Sequence, residues 1–279
     1  MGGPVSGVAV VGLLCRTSDR TAGGARGAEV LAETVAERLG TEARMIGTPG
    51  EPRAAGWEED LRDSRGCILE AGGQVEDALT GERFPVLCAS DCTIALTTLP
   101  TVARLVPDVR VLWLDAHGDF NTPSTTRSGF LGGMCLAGAC GRWSTGFDGR
   151  LDPANVVLVG SRDLDGGERA ELDLAGVARV ERPSQVADAV DGADVYVHLD
   201  LDVLDPAVFP AQFPAHGGLS DDGLRRLLDE VSQAAGRVVG VEITAFEAPA
   251  QAAEREQLAA LAADAVMPLL PVAATPVGG

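Results

Sequence analysis

Lysine is absent from this 279-residue chain, so all 22 basic residues are arginine. Against them stand 41 acidic residues, giving a formal net charge of −19. A field of that sign repels phosphate backbones and excludes nucleic acid as the expected partner. Long apolar runs are missing too: none reaches the roughly 18 residues that a membrane span needs. The first residues carry no basic segment ahead of an apolar one, which predicts no secretory signal. Six cysteines are too few for a disulfide framework in a chain of this length. They sit mostly in apolar segments and read as free, buried thiols in a reducing cytoplasm. Histidine numbers only three and tyrosine one, so imidazole chemistry rests on His117, His198 and His216.

What remains is rich in small and branched apolar residues. The hydrophobic share, 46%, is that of a globular protein and excludes a disordered chain. Short apolar runs cover 8–14, 84–88, 109–114, 156–160, 195–201 and 238–243. Helix-like stretches at 25–40, 57–81, 91–106, 220–236 and 250–270 lie between them. This alternation predicts βαβ units and a parallel sheet. The runs are apolar at nearly every position, as strands covered on both faces require. No linker or repeat divides the chain, which predicts one α/β domain over 1–279 with a frayed tail at 271–279.

Open parallel sheets bind ligands beyond the carboxyl ends of their strands. Beyond 109–114 the chain reads Asp115-Ala116-His117-Gly118-Asp119. Its acidic and imidazole side chains alternate and project to one side of an extended chain. The 195–201 run passes into Asp200-Leu201-Asp202, two more carboxylates on one face of an apolar strand. Carboxylates in such surroundings need a cation or an exposed strand tip. Four aspartates and one histidine are enough to bridge two metal ions about 3.5–4 Å apart.

These segments, Asp115-Ala116-His117-Gly118-Asp119-Phe120-Asn121-Thr122-Pro123 and Asp200-Leu201-Asp202-Val203-Leu204-Asp205-Pro206, resemble the two aspartate motifs of the arginase (ureohydrolase) family. The resemblance runs from about Val8 to Leu270. It implies a three-layer α/β/α fold around a central, mostly parallel sheet. It also implies two divalent metal ions, Mn(II) by preference, and hydrolysis of a guanidino C–N bond. Carried over, Asp115 and Asp200 bridge the metals, Asp119 completes one shell, and His117 and Asp202 complete the other. A homotrimer or homohexamer is the assembly it implies.

Three positions depart from the family pattern. In Ala89-Ser90-Asp91-Cys92-Thr93 the family's metal-binding histidine is Cys92, a softer donor that is expected to ligate. Gly132 stands where the family has a proton-transfer histidine. Ala245 stands where it has a glutamate that pairs with the guanidinium. Glu247, two residues on and of the same parity, is expected to reach the site. His216, on a loop that lines the family's pocket, is the candidate proton donor in place of Gly132. His198 precedes Asp200 with the same parity and is read as a partner that orients a carboxylate ligand. Glu242 falls at the family's buried acid.

The substrate expectation follows the same resemblance. Asn121, Thr126 and Ser128 stand where arginases bind an α-carboxylate, and Phe130 replaces one polar contact. Asp165 and Glu168 stand where they bind the α-amine, an opposite-charge match that confers specificity. A small guanidino amino acid is therefore the expected ligand. An N-hydroxyguanidine carries less positive charge than a guanidine and has less need of a glutamate at 245. The resemblance is closest to the hydroxyarginine hydrolases of D-cycloserine antibiotic biosynthesis. It implies cleavage of Nω-hydroxy-L-arginine to hydroxyurea and L-ornithine. An ordinary arginase, a guanidinobutyrase or agmatinase, and a non-catalytic homologue stand as alternatives. Zinc deacetylases of similar fold need a histidine pair and a tyrosine near the metal, whereas Tyr196 reads as core.

Overall fold

The computed structural model describes residues 7–180 and 182–271. The tail expected to fray, 271–279, lies outside them except for its first residue. Eight strands form one sheet: β1 (Val8–Leu13), β2 (Ala43–Ile46), β3 (Phe84–Ala89), β4 (Arg110–Leu114), β5 (Val156–Val159), β6 (Ala178–Val180), β7 (Asp194–Asp200) and β8 (Arg237–Thr244). Their order is β2-β1-β3-β8-β7-β4-β5-β6, and every pairing is parallel.

Strand side chains alternate between two cores. Leu112 and Leu114 of β4 face one side, Val111 and Trp113 the other. The first core is closed by α1 (Gly23–Leu39), α8 (Asp221–Ala234) and α9 (Ala252–Val266), through Leu31, Leu228 and Val266 among others. The second is closed by α3 (Arg65–Thr80) and α4 (Ala95–Leu105), through Ile68, Val75 and Leu99. This is the three-layer α/β/α arrangement that the resemblance implied.

All six apolar runs are strands. The two edge strands, β2 and β6, escaped the sequence reading because Arg44 and Arg179 interrupt their short apolar stretches. The stretch 57–81 is two helices rather than one. It breaks at Ser64 between α2 (Trp57–Asp63) and α3, where Ser64 Oγ donates to the Asp60 carbonyl at 2.6 Å. Asp60 is buried and pairs with Arg16 at 2.7 Å, which ties the break to the loop after β1. The short helices α5 (Cys135–Ala139), α6 (Gly166–Ala175) and α7 (Val186–Val190) complete the set.

Cys15, after β1, and Cys67, in α3, form a disulfide. This corrects the expectation that the thiols are all free. The two residues lie 52 positions apart and meet because α3 packs beside β1, a neighbourhood that local sequence does not reveal. Cys88, Cys92, Cys135 and Cys140 are free and buried. No helix among the described residues is long and apolar enough to cross a membrane.

Candidate metal centre

The carboxyl ends of β3, β8, β7 and β4 lie side by side in the sheet, and the predicted metal ligands converge there. Asp115 leaves β4, accepts from the His117 backbone N–H at 2.6 Å, and receives the Trp113 indole N–H at 3.0 Å. Asp200 ends β7 and accepts from the Asp202 N–H at 2.8 Å. Asp202 in turn accepts from the Ala116 N–H at 2.9 Å, which links the two strand ends. The strands are held by their apolar faces. Backbone N–H groups released at their tips orient the carboxylates, joined at Asp115 by the Trp113 indole.

The donors fall into two groups that share Asp115: Cys92, Asp115 and His198, and Asp115, His117 and Asp202. His117 Nδ1 lies 2.9 Å from Asp202 and 3.3 Å from Asp115. Cys92 Sγ lies 2.9 Å from Asp200 Oδ2. Asp119 is buried in left-handed backbone (φ 47°), with Cys135 Sγ 3.4 Å from its carboxylate.

Electrostatics shows what the cluster lacks. Burial pushes Asp119 and Asp200 well above the ordinary carboxylate range, and neighbouring aspartates push the same way. Burial likewise raises Asp202, with Asp115 adding to the effect. Burial also works against ionised Asp115, but its bonds from His117 hold it below the usual range. His117 is pushed up to about 12: desolvation opposes the charge, and the bonds to Asp115 and Asp202 overcome it. One imidazolium faces four buried carboxylates. Divalent cations would make good that deficit, so the donor set fits a binuclear centre in charge and in chemistry.

Two cavities open from the cluster. The inner one, about 40 Å³, is walled by Asp91, Cys92, Gly132, Ala245 and Glu247 beside the metal donors. It holds a few water-sized groups at most. The outer cleft, about 430 Å³, is lined by Asn121, Ser128, Phe130, Asp165, Glu168 and Phe213. Glu168 is buried, accepts from the Phe120 N–H at 3.0 Å, and is pushed up to about 7 by desolvation. Asp165 caps α6 through Oδ1, while its Oδ2 lies 3.5 Å from Asn121 Nδ2. Asn121 Oδ1 is buried with no partner among the described residues, an acceptor that a ligand N–H would satisfy.

The remaining expected residues are distributed less simply. Glu247 reaches the inner cavity and accepts from Thr21 Oγ1 at 2.5 Å. Thr126 is turned to its own loop, accepting from the Gly129 N–H at 3.1 Å, and is not in the cleft wall. His216 is exposed beside Asp205 and lines neither cavity, because the turn at Gly217 and Gly218 is folded back onto the Asp205 carboxylate. The structure does not bring it to the reacting end.

Gly132 has a local reason to lack a side chain: a Cβ there would meet the Phe130 ring at 2.5 Å. The ring occupies the space into which a histidine at 132 would project. Gly132→His alone is therefore expected to lose stability, by roughly 1–3 kcal/mol of overpacking. Gly132→His combined with Phe130→Ala is expected to recover part of it, and thermal unfolding of both variants checks this.

Sequence reasoning missed Asp19, Ser90, Gln212 and Phe213, which also line the cavities. Asp19 follows a strand end, the signal that found the other sites, but it stands alone there. Gln212 and Phe213 lie on the loop after the second aspartate motif and carry no motif of their own.

Residues 58–270 match the arginase family model. The chain is 39% identical over 264 residues to the N(omega)-hydroxy-L-arginine amidinohydrolase of Streptomyces lavendulae, covering 93% of this chain and 96% of that protein. It is also 39% identical to the arginase of Brevibacillus brevis over 168 residues, 52% of this chain and 56% of that one. Among solved structures, the arginase of Bacillus cereus superposes with a TM-score of 0.81 at 24% identity, covering 95% and 98% of the two chains. The family model, the near full-length relative and the shared fold lead to one conclusion: the chain belongs to the arginase family, whose members are hydrolases acting on guanidino C–N bonds.

Proposed function

We propose that the chain hydrolyses Nω-hydroxy-L-arginine to hydroxyurea and L-ornithine at a binuclear metal centre. The observation that carries this reading is the inner cavity, where Gly132, Phe130 and Ala245 share the wall with the metal donors and Glu247 stands in place of the carboxylate missing at 245. The match with the Streptomyces lavendulae enzyme points the same way.

Cys92, Asp115, His117, Asp119, Asp200 and Asp202 would hold the two ions, Mn(II) in the family pattern. When bound, the ions acidify water and so supply a nucleophile near neutral pH. The protein's own groups bind and orient the substrate. Glu168, Asp165 and Asn121 take the α-ammonium and Ser128 the α-carboxylate, with the side chain threaded past Phe130 into the inner cavity. Water adds across the bond between the guanidino carbon and the ornithine nitrogen. Its oxygen goes to carbon and a proton to the departing amine. Glu247, held by Thr21, is the carboxylate placed to handle the N-hydroxyl end.

Incubation of the manganese-loaded enzyme with Nω-hydroxyarginine is expected to release ornithine and hydroxyurea in equal amounts. Citrulline with hydroxylamine, or hydroxycitrulline with ammonia, in place of ornithine and hydroxyurea would overturn this assignment of the bond cleaved.

A further inference from the structure

His198 stands in an unusual pose for a residue that merely orients a carboxylate ligand. Such a residue turns one ring nitrogen to the ligand's carboxylate. Here Nδ1 points away from the cluster, 2.6 Å from Glu242 Oε1, and Nε2 points into it, 3.3 Å from Cys92 Sγ. A ring whose Nδ1–H is given to a carboxylate carries its lone pair on Nε2. Metal-binding histidines recurrently show this pattern: one nitrogen on the metal, the other donating to a carboxylate.

The ring is also fixed. Glu242 Oε2 accepts from the Tyr196 hydroxyl at 3.0 Å, so both carboxylate oxygens are engaged. Gly240 makes room for that tyrosine, since a Cβ there would lie 2.7 Å from its ring. The Trp113 indole stacks on His198 with centroids 3.5 Å apart and planes within 3°. The same indole donates to Asp115 at 3.0 Å, so one side chain positions both the imidazole and the shared carboxylate. His198 and Glu242 are fully buried, and Cys92 and Asp115 nearly so.

Resting on the binuclear reading above, we propose that His198 is itself a metal ligand, its Nε2 joining Cys92 Sγ and Asp115 in the more deeply buried of the two donor sets. The imidazole that the strand end after β3 lacks at Cys92 is supplied from β7 instead. A thiolate and an imidazole make that set softer than the Asp115, His117 and Asp202 set, and favour a zinc-like ion over manganese there.

The test uses the full chain with nitrogen-labelled histidine and NMR-active cadmium, read as scalar coupling between ring nitrogens and metal. Two bound cadmium ions are expected, with coupling at His117 and at His198 Nε2 and none at His216. His198→Gln is expected to lose the second coupling. It is also expected to bind one of the two ions more weakly by at least the roughly 10–100-fold that losing an outer partner costs. Glu242→Gln is expected to keep both couplings and weaken that ion within the same range. Two bound ions with coupling only at His117 would overturn the proposal and leave the binuclear reading standing. One ion coupled to His198 alone would keep the proposal and overturn the binuclear reading. One ion coupled to His117 alone, or no bound ion, would overturn both.

Discussion

Asp115→Asn is expected to lower turnover on the order of 10⁴-fold or more, with the fold retained. Asp115 is the one residue common to both donor groups, so in the proposed binuclear centre its charge would serve two ions at once. Metal binding supplies a nucleophile at neutral pH by moving the pKa of water from 15.7 to about 7. Without the shared carboxylate that gain is lost. Asparagine keeps an oxygen for the His117 N–H or the Trp113 indole, so the strand end keeps part of its support. Metal analysis and circular dichroism check the two halves of the claim. A variant that still holds two ions and turns over normally would remove Asp115 from the centre.

Glu168→Gln is expected to cost about 2–5 kcal/mol in kcat/KM, the range for truncating one side of a buried charge pair. That is roughly 30-fold to 4,000-fold. The loss should vanish for an analogue without the α-amino group, because the carboxylate then has no ammonium to meet. The pH profile gives a second check. Burial pushes Glu168 up to about 7, so it is a carboxylate above that pH and neutral below it. An ammonium binds the carboxylate, so KM should rise as pH falls through about 7. In Glu168→Gln that limb should flatten. An unchanged profile would assign the limb to another group.

The strand ends explain why the centre was legible in sequence. Asp115, His117, Asp200 and Asp202 break apolar runs, and a buried strand tolerates such residues only where something compensates them. Their alternation fixes a common side before any tertiary contact is known. Edge strands carry no such signal. β2 and β6 are short and face solvent in part, so Arg44 and Arg179 sit in them without cost.

His198 was legible as a residue but not as a pose. Its parity placed it near Asp200, yet the direction of its ring is decided by Glu242, Tyr196 and Trp113 from two other strands and its own. In the sequence alone, Phe130 and Gly132 are two separate losses. The structure makes them one feature, a ring filling the place of a missing side chain. His216 illustrates the opposite case. Its position after the second aspartate motif pointed to the pocket, while a turn anchored on Asp205 carries it outward.

If the altered cavity wall serves a hydroxylated guanidine, kcat/KM for Nω-hydroxyarginine and for arginine, measured side by side with ornithine as the common readout, must differ. Hydroxyarginine is expected to be preferred by on the order of 10²-fold or more, rising toward about 10⁴-fold if the site hydrogen-bonds the hydroxyl directly. Equal rates, or arginine preferred, would contradict this expectation and leave an ordinary arginase that tolerates Cys92, Gly132 and Ala245.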